Sequence, residues 1–152
     1  SSLSCISLIE KMSAELIQTH REKAVVYTGV GVCKEKAREL FKKFSLPNAI
    51  VLLDDVTEFG YNESTGFFWL KREKKVEQVH PKLGSKGSFD AEVTGFIEER
   101  HITKLKGFKV KEMLLWVPIV EATISDPASG KITFNTPAKI TRSFPISTFE
   151  ED

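Results

Sequence analysis

The chain has 152 residues, of which 41% are hydrophobic and 28% are charged. This size and composition are typical of one globular domain and exclude a disordered chain. Its 22 basic and 21 acidic side chains leave a net charge of +1. So small a net charge produces no global field that would attract nucleic acid or an anionic membrane surface. We therefore expect a soluble domain, and only a local basic patch could recruit such a partner.

The cysteines and the apolar runs bear on the compartment. Cys5 and Cys33 are too few for a disulfide framework, which favours a reducing, intracellular environment. The longest apolar runs, Ala49–Leu53 and Met113–Val120, are shorter than a membrane span. Because no basic segment precedes the short apolar stretch at the N-terminus, we predict no signal peptide and a cytoplasmic location.

The beginning of the chain has its own prediction. Met12 followed by Ser13 and Ala14 is typical of a translation start. We therefore interpret residues 1–11 as an extension outside the fold and residues 12–152 as a single domain.

Helical spacing dominates the first 45 residues. Apolar residues recur from Ile9 to Ile17 at three- to five-residue steps, which predicts a helix near 9–26. A second apolar stripe from Cys33 to Phe44, with charged residues on the other face, predicts a helix over 33–44 that ends before Pro47.

From residue 49 the apolar period changes toward two, and turn residues follow at short intervals. Gly95 predicts a bulge or bend within a strand, and Pro118 an edge position. Seven or eight short strands predict an antiparallel, curled sheet that forms a barrel or half-barrel. The fold class is thus mainly β with N-terminal helices, or α+β. The predicted strands are Thr57–Tyr61, Phe67–Glu73, Val76–Val79, Phe89–Glu98, Ile102–Leu105, Lys111–Ser125, Lys131–Asn135 and Arg142–Phe149.

Familiar catalytic and metal motifs are not found in the sequence. The run Gly84–Ser88 has the wrong spacing for a Gly-x-Ser-x-Gly elbow, and Gly29–Gly31 lacks the third glycine of a dinucleotide loop. His20, His80 and His101 have no ligand partners at helical or hairpin spacing. We therefore predict no metal site and no cofactor.

Two lysine-rich segments could contact nucleic acid. Lys71–Lys75 follows the aromatic run Phe67–Trp69, and aromatics beside lysines can stack bases while neutralising phosphates. The alternative, a charged loop after a strand whose aromatics face inward, is favoured because the net charge is small and no nucleic-acid motif is present. The second segment carries Lys104, Lys106, Lys109 and Lys111.

The aromatic content suggests a different role. Eleven phenylalanines and two tryptophans are mostly core, but a small curled sheet can also hold one apolar ligand. Phe67 and Trp69 are two residues apart and share one face, and Trp116 lies on the longest apolar strand. These three are the candidate lining residues of such a site, with plain core packing as the alternative for each.

The order of several short strings carries a family resemblance. From about Met12 to Phe149 the chain resembles the plant family named domain of unknown function 538. The strings that match are Phe44-Ser45-Leu46-Pro47-Asn48, Phe59-Gly60-Tyr61-Asn62, Thr65-Gly66, Trp69-Leu70-Lys71, Glu92-Val93-Thr94, Leu105-Lys106-Gly107, Lys109-Val110-Lys111-Glu112, Trp116-Val117, Gly130-Lys131-Ile132-Thr133-Phe134 and Arg142-Ser143-Phe144-Pro145.

The resemblance implies a small β-barrel-like fold with an N-terminal helix, a plant source and roles in growth or stress. For this family, both a likeness to lipid-binding barrels and an esterase-like activity have been proposed, without agreed catalytic residues. The functional hypothesis is a non-enzymatic module that binds a small apolar or amphipathic ligand, such as a lipid or pigment. An esterase with an unfamiliar site and a protein-binding scaffold are the alternatives.

Overall fold

The computed structural model describes residues 2–151, except for the side chains of residues 2–7 and 9. This part of the chain contains two α-helices, ten antiparallel β-strands and two 3-10 turns, Pro127–Ser129 and Ile146–Phe149, which confirms the α+β, mainly β prediction. The helices are α1 (Ser2–Arg21) and α2 (Val30–Lys43). The strands are β1 (Val25–Thr28), β2 (Val56–Asn62), β3 (Phe67–Arg72), β4 (Val76–Val79), β5 (Lys86–Glu98), β6 (His101–Glu112), β7 (Leu115–Pro118), β8 (Glu121–Thr123), β9 (Lys131–Asn135) and β10 (Thr141–Pro145).

The second helix follows the apolar stripe in the sequence. Cys33, Ala37 and Phe41, which recur every four residues, are all fully buried. The helix ends in a Schellman motif, in which Ser45 adopts a positive φ of 59° and the amide of Leu46 donates to the carbonyl of Phe41. The prediction of a helix over 33–44 is therefore correct to within three residues at its start.

The first helix differs from the prediction. It ends at Arg21, and residues 25–28 form the edge strand β1, so the prediction of a helix through residue 26 is wrong there. The β-branched pair Val25–Val26 finds a strand partner in β2, and this tertiary pairing outweighs the helical spacing before it. The helix also includes residues 2–11; that these lie outside the fold stays a prediction.

The hydrogen-bonded path of the sheet is β1-β2-β3-β5-β6-β8-β9-β10. Strands β1 and β10 are its two ends, so hydrogen bonds do not close it into a barrel. The β5–β6 hairpin is the branch point: β4 pairs with the first part of β5, and β7 with the last part of β6. The register of β5 against β6 shifts on both sides of Thr94, which agrees with the bulge predicted at Gly95.

The two faces of the sheet carry different helices. The inner face, which carries α2, is covered by the larger of two hydrophobic clusters, while the outer face packs a smaller one against α1. Strand β3 is buried on both sides, because Phe68 and Leu70 point inward while Phe67 and Trp69 point outward.

Candidate functional site

A cavity of about 390 Å³ lies on the inner face at the end of the sheet where β5, β6 and β7 meet. Its volume falls in the range of small-molecule sites, which are roughly 300–1,000 Å³. Most of its wall is apolar. The apolar side chains in that wall are Ala49, Ile50, Val51, Leu52, Leu53, Pro81, Leu83, Phe89, Phe108, Val110, Val117, Ile119, Phe134, Ile140, Phe144 and Phe149.

The C-terminal segment forms one wall of the cavity. Its last turn, Ile146–Phe149, is fixed on two sides by hydrogen bonds: Ala49 donates its amide to the carbonyl of Phe149 (2.7 Å), and Lys82 Nζ donates to the carbonyl of Ser147 (2.7 Å). The ring of Phe149 lies 4.9 Å from that of Phe134. The C-terminal segment is therefore a fixed part of the cavity wall.

Polar side chains stand around the mouth. Arg142 Nη2 lies 3.0 Å from Glu112 Oε2, so this pair bridges β10 and β6 at the rim. Lys82, Lys111 and Glu150 also line the cavity. An apolar interior with charged groups at its edge suits a ligand that has an apolar body and a polar end.

His80 is held in one orientation beside the mouth. Its Nδ1 accepts hydrogen bonds from the amides of Lys82 (3.1 Å) and Leu83 (3.2 Å), and its ring meets Phe149 edge-on at 5.5 Å. Burial lowers the pKa of His80, and the nearby Lys82 cation lowers it further. The imidazole therefore serves as a neutral acceptor that shapes the β4–β5 loop.

A buried cation lies behind the apolar wall. Arg72 is only 5% exposed, and its guanidinium donates to the carbonyls of Leu52 (2.7 Å) and Asp90 (3.3 Å). Its Cζ lies 5.9 Å from the ring centroid of Phe89, which lines the cavity. Burial lowers the pKa of Arg72, although Asp55 and Asp54 act in the opposite direction. The Nε of Arg72 has no hydrogen-bond partner among the described residues.

Two of the three predicted lining residues lie on the opposite face of the sheet. Phe67 and Trp69 are fully buried against Ile17 of α1 and are not among the described residues that line the cavity. Trp69 Nε1 donates to Glu58 Oε2 (2.9 Å), and Arg21 binds the same oxygen at 2.7 Å. Their placement is that of core packing, the alternative named for each of them.

Trp116 lies next to the cavity without lining it. It is half-buried on β7, where its neighbour Val117 and its cross-strand partner Lys111 both contribute to the wall. Lys111 Nζ stands 5.6 Å from the ring centroid of Trp116. Of the three predicted residues, Trp116 is therefore the one nearest to the cavity wall.

The true lining residues gave a weak signal in the sequence. Phe89 and Phe108 stack at 4.8 Å, yet each reads as an ordinary apolar position of its strand. They come together because the β5–β6 hairpin sets them in register. Most of the remaining wall comes from loops without regular spacing, which no periodicity argument can locate.

The three histidine side chains contact carboxylates and backbone groups. His101 lies between Glu98 (3.0 Å to Nδ1) and Glu121 (3.1 Å to Nε2); because opposite ring nitrogens face the two carboxylates, the three groups cannot share one ion. Among the described side chains, no three His, Cys, Asp or Glu residues are grouped as a metal site requires. The imidazole of His20 contacts the carbonyl of Leu16 (2.8 Å).

An esterase would require a nucleophile beside a base. Within the described part of the chain, none of the three imidazoles is hydrogen-bonded to a hydroxyl or thiol. The esterase alternative stays a prediction, and the geometry supplies no residue pair for it.

A comparison with models of protein families identifies the family of this chain. The family model described as "Protein of unknown function, DUF538" matches residues 37–150. The chain belongs to the DUF538 family. Every residue that lines the cavity except Glu151 lies within this match, whereas α1 and β1 lie outside it, so the cavity belongs to the DUF538 part of the chain. No curated protein and no solved structure matches the chain. In residues 2–151 of this DUF538 protein, no helix is long and apolar enough to cross a membrane.

Proposed function

We propose that this DUF538 protein is a non-enzymatic module that binds a small apolar or amphipathic ligand, lipid- or pigment-like, in the cavity on the inner face. The single observation that carries the proposal is the 390 Å³ space with mainly apolar walls. The side chains around an apolar cavity of this size lack contacts that a filled core would make. A ligand would restore those contacts.

The charged rim supports an amphipathic ligand over a purely apolar one. Arg142 and Glu112 form a pair at the mouth, and Lys82 and Lys111 stand beside it. A polar head group can exchange hydrogen bonds with these side chains while its apolar body enters the cavity. In this proposal the open sheet and the C-terminal segment act together as a half-barrel. A cytoplasmic location and a role in plant stress stay predictions from the cysteine content and the family resemblance.

The first test asks whether a ligand is present. The protein is purified without detergent and measured by native mass spectrometry, and an organic extract of the same sample is analysed. A reproducible extra mass that the extract identifies as an apolar or amphipathic molecule would support the proposal. Wild-type protein that carries no such molecule and binds none on reconstitution would count against it.

The second test locates the site with a matched pair of variants. Val117 is half-buried and lines the cavity from edge strand β7, whereas Val79 is exposed on edge strand β4 at the same end of the sheet. Val117→Trp places a large ring in the cavity, and Val79→Trp places the same ring outside it. With 1-anilinonaphthalene-8-sulfonate as the probe, Val117→Trp is expected to weaken binding at least about tenfold, which corresponds to about 1.4 kcal/mol.

The control must bind as the wild type does. Val79→Trp is expected to stay within about twofold of the wild-type Kd, since a surface substitution of this kind changes little else. Equal affinity of the probe for Val117→Trp and Val79→Trp would show that the probe binds elsewhere. This result would contradict the proposed binding site in the cavity.

A further inference from the structure

The connection between β6 and β7 exposes three consecutive apolar side chains. Met113, Leu114 and Leu115, here called the β6–β7 tip, are 96%, 90% and 70% exposed. Glu112 pairs with Leu115, so only two residues make the turn at the end of this hairpin. Three large apolar side chains that protrude together at a turn are unusual for a surface that meets only water.

The turn is also built against local preference. Met113, the first of the two turn residues, has a φ of +56°. In a two-residue hairpin a positive φ at that position favours glycine, and Asn or Asp tolerate it better than Met does. A sequence optimised for stability and solubility alone would place a small or polar residue there. Departures of this kind from local rules are expected where a segment serves a function.

The residues below the tip are suited to the boundary between water and lipid. Trp116 is half-buried, and Lys111 Nζ lies 5.6 Å from its ring centroid; Lys109 follows on the same strand two residues away. Among the described side chains, neither lysine takes part in an ion pair, whereas Glu112 is neutralised by Arg142. Trp and Lys are the side chains that favour the head-group level of a bilayer.

From this surface we infer that the β6–β7 tip docks the protein on an anionic lipid bilayer. The three apolar side chains would insert between the lipids, with Trp116 at the interface and Lys109 and Lys111 against the head groups. A protruding tip of three residues is too small for a stable protein interface, which buries roughly 800 Å² on each partner. It needs no complementary pocket in a fluid bilayer.

The docked orientation would also place the cavity beside the lipid. Lys111, Glu112 and Val117, which flank the tip on both strands, line the cavity wall. The inference nevertheless rests on the tip and on the Trp and Lys side chains below it, and it does not require the cavity to hold a ligand. It also agrees with the chain's small net charge, because the attraction it invokes is local.

The test is flotation of the whole protein with vesicles of phosphatidylcholine, with and without phosphatidylserine. The wild type is expected to float with phosphatidylserine vesicles and to dissociate as salt is raised. Met113→Ser combined with Leu114→Ser should weaken this binding at least about tenfold. Lys109→Gln combined with Lys111→Gln should remove the preference for phosphatidylserine. Each lysine is expected to contribute about fivefold to the affinity for phosphatidylserine vesicles.

Two controls separate docking from general effects. Val30→Ser combined with Val32→Ser removes two exposed apolar side chains at the start of α2 and should leave vesicle binding unchanged. Brominated acyl chains should quench the fluorescence of the wild type but not that of Trp116→Phe, whose remaining Trp69 is buried under α1.

The outcomes are distinct. If the Met113–Leu114 double variant floats as the wild type does, or if Trp116→Phe is quenched equally, the tip is not the docking surface. A second outcome would also show that the inference is wrong. The wild type does not bind vesicles, and sedimentation shows a dimer that the double variant does not form, so the partner of the tip is a second copy of the chain. The double variant should still bind 1-anilinonaphthalene-8-sulfonate in lipid-free buffer, so loss of docking and loss of the cavity proposal are distinguishable.

Discussion

The two faces of the sheet differ in how closely their aromatic side chains are packed. On the outer face, Phe67 and Trp69 pack against Ile17 of α1, and none of these three side chains is more than 2% exposed. On the inner face beyond α2, Phe89 and Phe108 border an open cavity of about 390 Å³. Aromatic residues thus fill one face and frame a space on the other. Aromatic content alone therefore does not reveal which face can accept a ligand.

The largest effect is expected from deleting the same side chain on each face. Phe67→Ala removes a ring that lies 4.2 Å from His20 and 5.3 Å from Phe96, and it should lower the free energy of unfolding by about 3–5 kcal/mol. Phe108→Ala enlarges a space that already exists, so it should cost at least about 1 kcal/mol less. Urea denaturation of both variants measures the difference, and equal losses would mean that the two faces are packed alike.

A pair of glycine variants gives an intermediate effect. A Cβ at Gly60 would lie 2.2 Å from Cζ2 of Trp69, so Gly60→Ala must displace the outer-face ring and should destabilise by about 1–3 kcal/mol. At Gly31 in α2, a Cβ would have no neighbouring atom within 4 Å, so Gly31→Ala should be neutral or stabilising by up to about 1 kcal/mol. In thermal melts, Gly60→Ala should lower the Tm and Gly31→Ala should leave it unchanged or raise it. A Gly60→Ala protein as stable as the wild type would contradict the close contact.

The smallest effect concerns pH and is confined to the cavity side. Because burial and Lys82 hold the pKa of His80 below its ordinary value, the stability it contributes is present above about pH 6.5 and is lost as pH falls through the lowered pKa. Protonated His80 can no longer accept from the amides of Lys82 and Leu83. Their hydrogen exchange, corrected for intrinsic rates, should become faster on acidification.

Two controls accompany the exchange measurement. His80→Gln cannot titrate in this range and should remove the acceleration. The amide of Thr65, which donates to the side chain of Asn62 at 3.2 Å in another loop, should show no such change. Acceleration of Thr65 to the same degree would indicate general loosening rather than titration of His80.

Much of the architecture could be predicted from the sequence because it depends on local signals. The stripe that begins at Cys33 and the bend at Gly95 each rest on a few neighbouring residues, and the structure has both. The strand Val25–Thr28 was missed because its partner β2 lies about thirty residues away in the sequence.

The break within Lys111–Ser125 was missed for a different reason. The predicted single strand contains a hairpin turn at Met113 and Leu114, residues that carry no turn signal. Likewise, the spacing of Phe67 and Trp69 predicts that they share one face of the sheet. It does not predict which helix covers that face. The cavity depends on how loops from three parts of the chain meet, and sequence periodicity contains no information on this.

The most direct test of the central account is the location of bound xenon, since xenon enters apolar cavities that have no other occupant. Crystals of the ligand-free protein under xenon pressure would be compared with crystals in air. We predict one xenon site on the inner face, in contact with Phe108, Ile119 and Phe134, and none beneath α1 near Trp69. Xenon beneath α1, or no xenon on the inner face, would contradict the claim that the apolar cavity lies on the inner face and not beneath α1.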